Sequence, residues 1–145
     1  MAADDLFILG IHMTKFGKHP DQDLVDLASE AVTGALIKEY GRKFYYITLD
    51  YAFGHTLEAA MVKACTALGG SRVGGVLTPL GTVDFSSYLI GAQSANPDVI
   101  VFLLGGDDMV NGKRDVTTAG YYAAIGCEPG PLHFQGSSSS IFVFG

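Results

Sequence analysis

The 145-residue sequence predicts an α/β fold, a parallel sheet with flanking helices, and three observations predict it. Apolar runs of strand length alternate with stretches whose apolar residues recur at helical spacing. The run Val99–Leu104 is apolar at every position, as expected of a strand covered on both faces. Turn residues (Gly41, Gly69-Gly70, Pro79, Gly81 and Asn96-Pro97) fall between these stretches. Strand, helix, strand, helix, strand in that order implies parallel pairing through right-handed crossovers.

The elements follow in chain order. Residues 6–9, Leu-Phe-Ile-Leu, form a short apolar run ending at Gly10 and read as a buried strand. After a polar segment with Gly17 and Pro20, Asp21 or Asp23 caps a helix running to about Glu39. Leu24, Ala28, Ala31 and Ala35 recur at helical spacing there, Val25, Val32 and Leu36 widen the apolar face, and Gly41 ends it. Residues 44–49, rich in β-branched and aromatic side chains, read as a second strand. Helix signals return at Thr56 and continue through Leu57, Ala60, Met61, Ala64 and Leu68 to Gly69-Gly70. A strand over 72–78 follows, ended by Pro79 and Gly81. Asp84 is the expected N-cap of a helix through Phe85, Tyr88, Leu89 and Ala92, closing near Asn96-Pro97. Val99–Leu104 is the strongest strand, and residues 105–116 have room for a short helix. Gly112 within it and Gly120, Gly126 and Gly130 beyond it break the pattern. Residues 137–140 are a serine run, and residues 141–144 an apolar stub that reads either as an edge strand or as an apolar tail.

Composition narrows the function classes. Hydrophobic residues make up 48% and charged residues 17%, so a single core is within reach. The net charge of −6, without basic clusters, argues against a nucleic-acid partner, whose phosphates demand a positive face. Nothing approaches the run of about 18 apolar residues that a membrane span needs, so no membrane insertion is expected. Asp4 and Asp5 stand where a secretory signal carries Lys or Arg. The sequence as it stands therefore reads as cytoplasmic or as lacking its export signal, and leaves its compartment open.

Motifs for chemistry are few. Gly10 to Gly17-Lys18 places six residues between its glycines where a phosphate loop needs four, and His19 follows the lysine. The four histidines show no metal-ligand spacing, so neither metal nor cofactor is expected. Cys65 falls on an amphipathic helix near Met61 and Leu68 and reads as a buried structural thiol, while Cys127 sits in a Gly/Pro turn. Asp107 and Asp108 read as a solvated loop or a helix N-terminus. No nucleophile–base arrangement emerges, and an enzyme is not expected.

Geometry is more informative, because parallel α/β sheets bind ligands beyond the carboxyl ends of their strands. Three such ends can be named: Asp50-Tyr-Ala-Phe-Gly54, Thr78-Pro-Leu-Gly-Thr82 and Gly105-Gly-Asp107. They make Tyr51, Phe53, Gly54, Thr78, Gly105 and Asp107 the candidate ligand-binding residues. Aromatic rings beside helix N-termini suit a small polar or carboxylate-bearing molecule held against an aromatic wall.

A family resemblance rests on these residues. Lys43, Asp50-Tyr-Ala-Phe-Gly-His55, Leu68-Gly-Gly70, Leu77-Thr-Pro-Leu-Gly-Thr82, Asp84-Phe-Ser-Ser-Tyr-Leu89 and Pro97-Asp-Val-Ile-Val101 keep one order and spacing across residues 42–111. This stretch resembles type I periplasmic solute-binding proteins, the receptors of ABC importers for branched-chain amino acids, amides and urea. The resemblance implies a Rossmann-like lobe, one of two that close on a ligand. It also implies an ABC permease as partner and a periplasmic address. Tyr51 and Phe53 would face the cleft, and pairing with a partner or with itself would complete it.

Residues 6–36, with Leu9-Gly-Ile-His-Met-Thr-Lys-Phe-Gly17 and Leu24-Val-Asp-Leu-Ala-Ser-Glu-Ala-Val32, are similar instead to the start of thiolase-like acyl-CoA acyltransferases. The expected organisation is therefore a thiolase-like strand–helix opening (1–40), a solute-binding-like α/β lobe (41–116) and a Gly/Ser-rich tail (117–145). The expected function is a binding module for a branched-chain amino acid or amide. The alternatives are a thiolase-like fragment without a complete active site, and a composite α/β chain with no ligand.

Overall fold

Helix α1 (Leu24–Glu39) begins where Asp23 and Asp26 form a reciprocal capping box, the Asp26 N–H donating to Asp23 Oδ1 at 2.8 Å. That bond decides between the two expected caps in favour of Asp23. The computed structural model describes residues 11–117 and the backbone of 140–144; the expected strand at 6–9 and Cys127 lie outside them. The remaining elements are β1 (Lys43–Leu49), α2 (Ala52–Ala67), β2 (Ser71–Thr78), α3 (Ser86–Ser94), β3 (Val99–Leu104), α4 (Gly106–Thr117) and β4 (Ser140–Phe144). Sheet order is β2-β1-β3-β4, with β1 parallel to both β2 and β3 and β4 antiparallel to β3. Of the two readings of the apolar stub, the strand at the sheet edge is the one formed.

The period-2 alternation of side chains sorts the two central strands into two cores. Phe44 and Tyr46 of β1, with Val99, Val101 and Leu103 of β3, pack with Leu36 of α1 and with Met61 and Cys65 of α2. Tyr45, Ile47 and Leu49, with Ile100, Phe102 and Leu104, pack on the opposite side with Phe85, Leu89 and Ala92 of the α3 region and Met109 of α4. The result is three layers, helices α1 and α2 on one face of the sheet and α3 and α4 on the other. Every residue of β3 is buried, which is why its sequence is apolar throughout.

Strand register at the amino ends is fixed by Asp98. Its Oδ2 accepts the N–H groups of Arg42 and Lys43, both at 2.9 Å, while its own N–H donates to the Lys43 carbonyl at 2.8 Å. One residue later Phe44 pairs with Val99, so the aspartate locks β1 to β3 at their first ladder position. Gly41, at φ 139°, lies so close that a Cβ there would meet the Asp98 carboxylate. Asn96, at φ 46°, ends the α3 region in the left-handed conformation that asparagine tolerates, just before Pro97.

Two expected boundaries move. Helix α2 starts at Ala52, not Thr56, because its first turn faces solvent and so carries no apolar periodicity, and its N-cap Tyr51 makes no side-chain cap bond. Asp84 does accept the Ser86 N–H at 2.8 Å, but it stands one residue ahead of the N-cap, Phe85.

Candidate functional site

The carboxyl ends of β1 and β3 open onto a cleft of about 780 Å³. Its floor is Leu49, Leu103 and Leu104, the last residues of the two strands. Tyr51, Phe53, Gly54 and Leu57 supply one wall from the start of α2, and Gly105, Gly106, Asp107 and Asp108 supply another from the start of α4. Leu80 and Gly81, on the loop after β2, complete the lining. No cationic side chain is among these residues.

Helix α2 can turn straight back from β1 because Gly54 is buried against the Leu49 carbonyl, where a Cβ would collide. Phe53 and Gly54 thus belong to a helical turn, whereas the sequence placed them in a loop. Tyr51 and Phe53 stay 60% and 47% exposed, which leaves their rings available at the cleft rim. The first-turn N–H groups of α2 have no intrahelical acceptor, which gives this wall a partial positive end. Beside it, the exposed His55 Nε2 lies 2.8 Å from Asp50 Oδ1.

The two adjacent carboxylates at the start of α4 divide their roles. Asp107 is exposed at the cleft, while Asp108 is 3% exposed and its Oδ2 accepts the Gly81 N–H at 3.1 Å. Both sit in the first turn of the helix, where negative charge is favoured.

Five of the six candidate residues (Tyr51, Phe53, Gly54, Gly105 and Asp107) therefore line one cleft. Thr78 does not line it. This last residue of β2 is fully buried, its hydroxyl donates to the Thr48 carbonyl at 3.4 Å and its carbonyl accepts the Asp50 N–H at 2.8 Å. It braces the strand ends from beneath. Leu57, Leu80, Gly81 and Asp108 were not singled out from sequence. Leu80 and Gly81 lie in a strand-end segment that the sequence did name, but the choice there fell on the hydroxyl, which strand alternation turns inward.

Among the described residues no group of three or more His, Cys, Asp and Glu side chains could hold a metal ion. No helix of the described residues is long and apolar enough to cross a membrane. Cys65 is fully buried beside Tyr46, and burial pushes both the thiol and the phenol above their ordinary pKa values.

A doubly covered sheet, parallel through β2, β1 and β3, with a cleft at the carboxyl ends of its strands defines the class: a doubly wound α/β lobe. The sequence profile of the periplasmic binding protein family matches residues 15–129, and the chain belongs to that family. Solved structures agree. A periplasmic binding protein from Burkholderia mallei is 33% identical with a TM-score of 0.60, over 63% of this chain and 24% of that one. A branched chain amino acid ABC transporter periplasmic ligand-binding protein from Burkholderia xenovorans LB400 is 33% identical with a TM-score of 0.59, over 65% and 25%. An ABC transporter solute binding protein from R. palustris, in complex with benzoate, is 26% identical with a TM-score of 0.56, over 69% and 26%. The chain thus spans about a quarter of the length of these relatives. No curated protein matches it.

Proposed function

We propose that the chain is a solute-binding lobe for a small molecule with N–H donors, a branched-chain amino acid or an amide, of the kind that serves an ABC importer. The observation that carries this reading is the cleft, which sets the exposed Tyr51 and Phe53 opposite Asp107 over a leucine floor. An ammonium or amide N–H would meet Asp107, an aliphatic side chain would lie on the rings and the floor, and a carboxylate would sit at the N-terminal turn of α2. A plain anion such as the benzoate of the R. palustris relative would take the turn of α2 but bring no N–H donor to Asp107. The relative from Burkholderia xenovorans, described as handling branched-chain amino acids, supports the same class.

The lobe acts by binding, not by chemistry, and the partner implied by the family is an ABC permease. A single lobe contributes one side of a two-sided cleft, so affinity is weak until a second surface closes over the ligand. Self-association is one way to supply that surface. A thermal-shift screen with leucine, isoleucine, valine, short amides, urea, benzoate and acetyl-CoA tests the reading. With a Kd near 1 mM, about 20 mM leucine would stabilise by about 2 kcal/mol. Tyr51→Ala and Asp107→Asn would each remove most of that gain. Stabilisation by benzoate or acetyl-CoA and none by the amino acids or amides would contradict it, and an acetyl-CoA response would favour an acyltransferase fragment.

A further inference from the structure

One face of α4 holds the loop between β2 and α3 by its main chain. Asp108 Oδ2 accepts the Gly81 N–H at 3.1 Å. Asn111 Nδ2 donates to the Thr82 carbonyl at 3.2 Å, and Arg114 Nη2 donates to the Val83 carbonyl at 2.9 Å. Asp115 Oδ2 accepts the Phe85 N–H at 2.8 Å. At 100° per residue, positions 108, 111 and 115 fall within a narrow arc and 114 flanks it, so these bonds belong to one helix face. The loop runs alongside the helix in the same direction. From 108 to 115 the helix rises about 10 Å. Four residues from 81 to 85 can span at most roughly 13 Å, enough to follow the helix over that rise. The match lets each side chain meet the next stretch of backbone in turn.

The adjoining face of α4 is anchored in the sheet. Met109 is buried in the core, and Gly112 comes so close to β3 that a Cβ there would lie 3.1 Å from Leu104 Cδ1. Phe85, where the loop ends, is fully buried with its ring centroid 6.5 Å from that of Phe102. The helix and the far end of the loop are therefore both fixed, and the stretch between them, from Gly81 to Val83, is the part positioned.

We propose that this face of α4 is a positioning rail that sets the Leu80–Gly81 wall of the cleft at a fixed distance from Asp107. The same helix carries Asp107 into the cleft at its first turn and grips the loop that presents Leu80 a few residues on. The spacing between the acid and the apolar wall is thus built into one element. That spacing selects ligands by the length between amine and side chain. The consequence for selectivity rests on the proposed binding function; the rail itself does not, and its test needs no ligand.

The test is residue-resolved amide hydrogen exchange on the whole chain. The Gly81 amide, on a surface turn, and the Phe85 amide, at the buried end of the loop, should both be protected in the native protein. Asp108→Ala should speed exchange at Gly81 about tenfold, and Asp115→Ala should do at least as much at Phe85, because it removes both the bond to that amide and the pair with Arg114. Amides of Ile47 and Phe102 in the central strands should stay within about twofold of native rates. Asp115→Asn keeps an acceptor oxygen and should restore most of the protection at Phe85. Native exchange at Gly81 and Phe85 as fast as in an unstructured peptide would overturn the proposal. So would acceleration shared equally by loop and sheet amides, because the loop would then open only with the whole lobe.

Discussion

Replacing Asp98 should test how the lobe fixes the register of its central strands. The carboxylate accepts two backbone N–H groups at 2.9 Å and lies 3.5 Å from Lys43 Nζ. A hydrogen bond to a charged group contributes about 1.5–3 kcal/mol when desolvated. The Asp98 side chain is 30% exposed, so solvent screening brings each bond to about 1 kcal/mol. Asp98→Ala should therefore cost about 2 kcal/mol, or roughly 7 °C in Tm for a domain of this size. Asp98→Asn keeps an acceptor without the charge and should lose about half as much. The pH dependence has a definite sign. The Lys43 backbone N–H, first among the favourable contacts, holds the Asp98 carboxyl below its usual value of 3.8. A depressed folded-state pKa gives stability that is fully present above the usual value and is lost as pH falls through the folded one. The gap between native protein and Asp98→Asn should hold from neutrality to about pH 5 and narrow below about pH 4. Chemical denaturation across that range is the assay. A cost for Asp98→Ala under about 0.5 kcal/mol, or a gap that widens on acidification, would refute the clamp.

Three further outcomes follow from the packing. Gly54→Ala places a methyl against the Leu49 carbonyl, so overpacking should outweigh the gain in helix propensity and cost about 2 kcal/mol in denaturant melts. Gly91→Ala is the contrasting case. Gly91 lies exposed on α3, where a Cβ would meet the Tyr45 hydroxyl at an ordinary 3.6 Å, and the change should stabilise by about 0.5–1 kcal/mol. In a Cys127→Ser background, Cys65, buried and with its thiol pKa raised by that burial, should react with a thiol reagent only at the rate of unfolding. Rapid labelling of the native chain would show that this face of α2 is not held against the sheet.

The sequence made some of this visible for clear physical reasons. Strand β3 was readable because both of its faces are buried, which removes every polar residue from the run. The cap of α1 was narrowed to Asp21 or Asp23 by residue type, and the Asp23–Asp26 bonds of the capping box decide for Asp23. The strand ends, and with them five lining residues, followed from the parallel topology alone. The start of α2 escaped because an exposed turn facing a cleft carries no apolar rhythm, and Gly54, which serves close approach, was placed in the strand-end segment. The clamp at Asp98 and the rail on α4 were out of reach for another reason. Asp98 bonds to residues 55 and 56 positions away, and the α4 side chains reach 27 to 31 positions back. Such pairs leave no local pattern, and each of these residues in isolation reads as ordinary solvated surface. Thr78 shows the converse error. A hydroxyl at a strand end suggested a ligand contact, yet the pleat turns it inward onto the Thr48 carbonyl.

The most direct measurement is an NMR titration of the isotope-labelled chain with leucine, following backbone amides. The account predicts saturable shifts at millimolar leucine, concentrated at Ala52, Phe53 and Gly54 of α2 and at Gly105, Gly106 and Asp107 before and in α4. The same titration on Asp107→Asn should need several-fold more leucine. A folded chain whose cleft amides stay unmoved up to about 50 mM of leucine, isoleucine, valine or a short amide would contradict the central claim, as would shifts confined to surfaces away from the cleft.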